Sequence, residues 1–302
     1  MATIGHTNNQ TNQTMEGIPA DVPLPSSEQF YMKSAHDDLY LVQISWPLSW
    51  QNGRFFSGSA PIIYIVDGNA LFLTATEAAW RRAAESRFVG GVVVAIGYPL
   101  SGKLYDSKRR SLDLTPPTAT PTPGFGGADR FLAFIEGVVK PKVYSRFPHV
   151  SISREALYGH SYGGLLALHT LFTRTTSFDC YIASSPSVWW NDHSILETAK
   201  TFLAKEERNE TPPSVMVFWG SLEENPLQWD DESSDQFESR KHIASIFRTS
   251  ENSVKLCEML QGSHHLQTIL KEEFAGEEHT SVMACSMNRS LTRFFENWPL
   301  TR

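Results

Sequence analysis

No apolar run in this 302-residue chain approaches the ~20 residues that a membrane-crossing helix needs, so no membrane partner is expected. The amino-terminal stretch MATIGHTNNQTNQTMEGIPADVPLPSS lacks a basic start and an apolar core, and so does not read as a secretory leader. Its polar, Pro-rich make-up reads instead as a disordered tail over residues 1–26. Positive charge is short as well. The 26 Lys and Arg stand against 33 Asp and Glu, a net charge of −7, which excludes the basic surface that a nucleic-acid partner requires. Cysteine is scarce: Cys180, Cys257 and Cys285 are odd in number, far apart and without metal spacing. They read as reduced thiols of a cytoplasmic protein, and neither a metal nor a cofactor is expected.

What is present is a regular alternation. Apolar β-type runs at FYMKS, YLVQISW, PIIYIVDGN, GGVVVAIGYP, REALYG, FDCYIASSPS, SVMVFWGS and QTILKEEF read as strands. Several are continuous Ile/Val runs, the pattern of strands covered on both faces. Helical patterns lie between them: TATEAAWRRAAESR, ADRFLAFIEGVVKPKVYSRF, YGGLLALHTLFTR, HSILETAKTFLAKEER, DQFESRKHIASIF and the closing SMNRSLTRFFENW. NSVKLCEML fits a strand or a short helix and leans to helix. The Pro/Thr-rich DLTPPTATPTPGFGG and the acidic LEENPLQWDDESSDQ read as loops. The fold class expected is α/β, a mostly parallel doubly wound sheet with helices on both faces, as one catalytic domain over residues 27–302.

Open parallel sheets place their ligands beyond the carboxyl ends of the strands. Gly159-His160-Ser161-Tyr162-Gly163 stands at such an end, with REALY before it and LLALHTLF after it. This strand–turn–helix frame makes G-x-S-x-G a nucleophile elbow with Ser161 as the nucleophile. A serine needs a histidine base and an orienting carboxylate, in the chain order Ser, acid, His. His279 follows the last strand-like run and precedes the final helix, the place from which such a base is delivered. The adjacent His264 and His265 read as surface polar residues, because neighbouring side chains point apart and no further ligand stands at metal spacing. The acid should follow a late strand. Glu223 and Glu224 lie just past SVMVFWGS, and Asp230 and Asp231 in the acidic loop are rivals. Two backbone N–H groups should form the oxyanion hole, those of Tyr162 and of Asn69, with Gly68 permitting close approach in the loop.

Beyond the elbow, YIVDGNALF, IGYP with RSLDLTP, GGADRFLAFIEGVVKP, LYGHSYGGLLALHTLF, YIASSPSVWWN, FWGSLEE and EEHTSVMACSMNRSLTRFF occur in this order. Together they resemble the esterase family of α/β hydrolases that includes the ferri-bacillibactin and enterobactin trilactone esterases, over roughly Ser27 to Trp298. The resemblance implies an α/β-hydrolase fold with Ser161 as nucleophile, His279 as base in preference to His264 and His265, and Glu223 as acid. It implies Arg110 as a substrate-side arginine, and SPSVWW, with Trp189 and Trp190, as a wall of the cleft. The stretch from Glu223 to His279 departs from the family, being about 20 residues longer than in the bacterial members.

The expected activity is hydrolysis of ester bonds in a cyclic siderophore, releasing iron inside the cell. An acidic protein with tryptophans beside its site favours a neutral ferric hydroxamate of the fusarinine or triacetylfusarinine type over an anionic catecholate. Two other readings are an esterase, thioesterase or acyltransferase acting on a polyketide or depsipeptide, and a catalytically silent binding protein on the same scaffold.

Overall fold

Chain segments that alternate between two cores explain the architecture. In β3 (Gly58–Val66), Ile62, Tyr64 and Val66 enter one apolar cluster, and Ile63 and Ile65 enter another. In β4 (Val92–Gly97), Val92, Val94 and Ile96 face the first cluster, and Val93 and Ala95 the second. Successive side chains of a strand point to opposite faces, so a continuous apolar run requires cover on both sides. The computed structural model describes residues 22–50, 52–85, 90–207, 209–296 and 298–299. Residues 1–21 of the expected tail lie outside these. Its final residues belong to the fold, since Leu24 packs against the second core and the Ser26 carbonyl accepts the Trp46 N–H at 3.0 Å.

The remaining strands are β1 (Ser27–Lys33), β2 (Leu39–Ser45), β5 (Val150–His160), β6 (Cys180–Ser184), β7 (Ser214–Gly220) and β8 (Thr268–Phe274). They form one sheet in the order β1-β2-β4-β3-β5-β6-β7-β8. β2 runs antiparallel to β1 and β4, and every pairing from β4 to β8 is parallel. This is the α/β-hydrolase sheet expected from the sequence. The chain goes from β3 to β4 on one side and then to β5 on the other, so the order reverses at β3. A crevice opens at such a reversal, beyond the carboxyl ends of the strands.

α1 (Gly68–Ala83) and α9 (Val282–Phe295) cover one face, with Leu71, Phe72, Met287, Leu291 and Phe294 in the second core. α5 (Tyr162–Thr173), α6 (Trp190–Leu203) and α8 (Thr249–Leu260) contribute to the first core. The helix expected over residues 128–147 is present as α3 (Ala128–Phe134) and α4 (Lys140–Arg146), joined by a π turn at Ile135–Val139. Pro141 in the first turn of α4 accounts for that turn, because proline lacks an N–H and crowds the carbonyl four residues earlier. α8 settles the ambiguous NSVKLCEML as helix, since Leu256, Cys257 and Leu260 share one buried face.

α2 (Ser107–Leu114) was not expected. Its sequence, SKRRSLDL, shows almost no apolar face, and only Asp113 and Leu114 are buried. Asp106, whose side chain accepts the Arg109 N–H, is the one start signal that marks it. α7 (Ser234–Phe247) lies in the long segment between Glu223 and His279, starts from a Ser233–Gln236 capping box, and buries only Ala244. No helix of the described residues is long and apolar enough to cross a membrane.

Phe294 is fully buried between α9 and the sheet. Phe294→Ala is expected to lower stability by about 3–5 kcal/mol in chemical denaturation. A loss below about 1 kcal/mol would show that α9 lies outside the cooperative core.

Candidate active site

At the β5–α5 turn Ser161 takes φ +58° and ψ −116°, a conformation that L-residues rarely adopt. Backbone bonds hold it there. The Ser161 N–H donates to Ser184 O at 2.9 Å, and Ser161 O accepts from Leu165 and Ser187 at 3.0 and 3.2 Å. The turn is so tight that a Cβ on Gly159 would lie 2.0 Å from the Gly163 carbonyl oxygen, so glycine is required at that position. The Ser161 hydroxyl pairs with Ser187 Oγ at 3.3 Å. Tyr162 opens α5, so its N–H is among those without an intrahelical acceptor.

From the end of β7, Glu223 turns back into the fold, and its side chain is 1 % exposed. One oxygen accepts the Gly220 N–H at 2.7 Å and the Ser185 hydroxyl at 2.6 Å. The other accepts Nδ1–H of His279 at 2.6 Å, across 56 residues of sequence. Three hydrogen bonds thereby satisfy this buried carboxylate, and with Nδ1 of His279 engaged, Nε2 is the ring nitrogen left for another partner. The rivals stand elsewhere. Glu224 accepts the Glu251 N–H at 3.0 Å at the start of α8, and Asp230 and Asp231 are exposed.

His279, Ser161 and His160 line one cavity of about 240 Å³ with Arg110, Tyr105 and Met283. The His160 and His279 rings lie 4.6 Å apart, and His160 Nδ1 pairs with Ser184 Oγ at 3.2 Å. Burial, with the neighbouring His279 and Arg110 charges, pushes His160 well below its usual pKa of 6.5, so it stays neutral. Arg110 grips Asp67 through Nε and Nη2, at 2.9 Å for the shortest contact. Asp67 is 3 % exposed and left-handed, with φ +56°. Behind it, Gly68 lies so close to β4 that a Cβ would come within 2.9 Å of the Ala95 and Ile96 backbone. Asn69 commits its side chain to Tyr98, accepting its N–H at 2.7 Å and donating to its carbonyl at 3.0 Å. Its backbone N–H belongs to the first turn of α1, at the same strand ends as Ser161.

Two expectations require correction. Trp190 is not a cleft wall: it is 7 % exposed, lies in the first core and approaches Phe125. Trp189 is half-buried near Tyr162 and stacks on Phe247 at 4.1 Å. The left-handed residues Asn191–His193 break the helix directly after Trp190, and the helical course runs from there. His265 is likewise not a surface residue: it is 2 % exposed, and Nε2 pairs with the Lys205 carbonyl at 2.9 Å beside Phe202. His264 is exposed, as expected. Sequence reasoning missed the hydroxyls of Ser185 and Ser187, and Tyr105 and Met283, because small polar residues and scattered loop residues form no periodic signal.

Residues 40–277 match the model of an esterase family described as "Putative esterase". The chain belongs to this family. The siderophore triacetylfusarinine C esterase of Aspergillus fumigatus is 60 % identical over 283 residues, covering 93 % of this chain and 97 % of that protein. The ferri-bacillibactin esterase of Bacillus subtilis is 31 % identical, covering 93 % of each chain. Among solved structures, the siderophore hydrolase EstB from Aspergillus nidulans superposes with a TM-score of 0.90 at 51 % identity, over 94 % of this chain and 100 % of that one.

Neutral His160 gives the stability of this chain a pH dependence. The unfolded chain binds a proton at this histidine below about pH 6.5 while the folded chain does not, so its contribution is full above that pH and is lost progressively as pH falls from there toward the lower folded-state pKa. His160→Asn is expected to flatten the fall of the denaturation midpoint between about pH 7.5 and 5.5. An unchanged slope would show that His160 is not held neutral.

Proposed function

We propose that this esterase hydrolyses the ester bonds of a cyclic siderophore, with a fusarinine-type trilactone as substrate, and that residues 27–302 act as one catalytic domain. The observation that carries the reading is the contact of buried Glu223 with His279 at 2.6 Å, in a cavity that His279 shares with the strained Ser161. In this mechanism Ser161 Oγ attacks the ester carbonyl while Nε2 of His279 takes its proton. Glu223 holds the tautomer and offsets the imidazolium charge. The Tyr162 and Asn69 amides receive the oxyanion. His279 then returns the proton to the leaving alkoxide, and water, activated by the same histidine, clears the acyl-enzyme. The His279 side chain is 46 % exposed, so water reaches it, and this favours hydrolysis over acyl transfer to another alcohol.

Charge supports the hydroxamate. Arg110 is the one Arg or Lys among the described residues lining the cavity, and Asp67 neutralises it. A strongly anionic ferric catecholate would meet no uncompensated cation there, whereas a neutral ferric hydroxamate needs none. The 60 % identical relative bears the name of a triacetylfusarinine C esterase, in line with this choice. The three cysteines are free, as they would be in the cytoplasm, where we place the reaction.

Mass spectrometry of ferric and iron-free fusarinine-type trilactones, catecholate trilactones and a p-nitrophenyl ester tests the assignment. Turnover of the hydroxamate trilactones at least about tenfold above the catecholates is expected, a difference of about 1.4 kcal/mol. Turnover of simple esters alone would reject the siderophore. A fluorophosphonate probe should label the wild type and not Ser161→Ala. Absence of wild-type labelling would favour a silent binding protein. Glu223→Gln is expected to retain the fold and lower kcat by about 10⁴, because the wrong imidazole tautomer is then favoured. A loss under tenfold would remove Glu223 from the mechanism.

A further inference from the structure

His279 borders two cavities. One is the cavity shared with Ser161 and Arg110. The other, of about 190 Å³, lies between α7 and the loop after β7 and is lined by Leu222, Pro226, Ile243, Ala244 and Phe247. It is built by the long segment between Glu223 and His279. Phe247 is fixed by its stack on Trp189, with the rings 6° from coplanar. The base of α7 is fixed by Arg240, which binds Glu232 through two contacts of 2.8 Å and covers the Trp229 ring at 4.0 Å. Arg240 also reaches this pocket, where Glu232 compensates its charge, and Glu223, Thr249 and Glu278 add polar edges to a mainly apolar lining with no uncompensated Arg or Lys.

We propose that this pocket binds the alcohol arm of the ester, as an uncharged aliphatic chain of about six carbons. The inference rests on the esterase reading above. In that chemistry the leaving oxygen must take its proton from His279, so the alcohol arm departs past this residue rather than on the far side of Ser161. Of the two cavities that His279 borders among the described residues, the one under α7 is walled by Leu222, Ile243, Ala244 and Phe247, whereas Met283 is the one apolar aliphatic side chain lining the other. At about 30 Å³ per water-sized group, its volume holds on the order of six such groups. α7 is thus a specificity element: Ile243 and Ala244 set the depth of a pocket that Glu223 and His279 also line, so the test reads chain-length ratios rather than absolute rates.

Alkyl acetates from ethyl to hexyl, followed by acid release, read the alcohol arm. p-Nitrophenyl esters from acetate to hexanoate read the acyl arm. Burial of each added methylene is worth up to about fourfold, so kcat/KM of the wild type should rise tenfold or more from ethyl to hexyl acetate. Ala244→Phe, which fills the pocket, and Ile243→Asp, which charges its rim, should each cut the hexyl-to-ethyl ratio at least fivefold while leaving the acyl-length ratio as in the wild type. Ile243 is 46 % exposed on a helix that buries only Ala244, so its variant tests the pocket without touching the core. Wild-type ratios in both variants overturn the proposal, as does a change confined to the acyl series. If the wild type cleaves the trilactones but no ester of either series, the pocket proposal is overturned while the esterase reading stands; if it cleaves neither, the esterase reading itself fails.

Discussion

The backbone of Ser161 is the constraint on which the rest depends. A residue at φ +58° and ψ −116° does not hold itself in place, and the surrounding elements are arranged to force it. β6 supplies the Ser184 carbonyl, α5 begins immediately after the turn, and the Ser187 N–H closes the far side. Gly159 exists because β5 and α5 must nearly touch there. The sheet is wound so that these carboxyl ends are adjacent, which brings the ends of β3, β7 and β8 to the same edge.

Around that turn the polar groups are distributed by burial. Glu223 has almost no access to water, and three donors satisfy it instead, one of which is His279. A buried carboxylate without those donors would be costly, so the site and the stability of the β7 end are one design. Arg110 and Asp67 form a second closed pair next to it, neutral in sum. His160 is kept uncharged against the His279 ring. The net effect is a cavity with hydrogen-bonding capacity and little unbalanced charge. That character suits an ester whose iron complex is itself neutral.

Some of this was legible in one dimension. Ile62 to Val66 and Val92 to Ile96 announce strands covered on both faces, since apolar side chains at every position can be buried no other way. The elbow was legible because a glycine two residues either side of a serine, between strand and helix, has few other uses. α2 was not legible, because SKRRSLDL is held by its cap and by contacts of Arg109 and Asp113 rather than by an apolar face. His265 and Trp190 were misread for a related reason. Burial of a single side chain depends on neighbours such as Phe202 and Phe125, which are remote in the chain.

The sequence by itself determined the class of sheet, the elbow at Ser161 and the order of the candidate triad, because these follow from local periodicity and from steric demands within a few residues. Local sequence left four candidates for the acid, among which the family resemblance pointed to Glu223, and which of them meets His279 was decided by the tertiary structure. Glu223, Glu224, Asp230 and Asp231 stand within nine residues of each other, and all four are chemically able to orient a histidine. Only the return of the chain after β7 buries Glu223 and turns it onto His279, 56 residues away, while Glu224 is spent on α8. Distance through space decides a hydrogen bond, and that distance is set by how the sheet edge and the long inserted segment fold together.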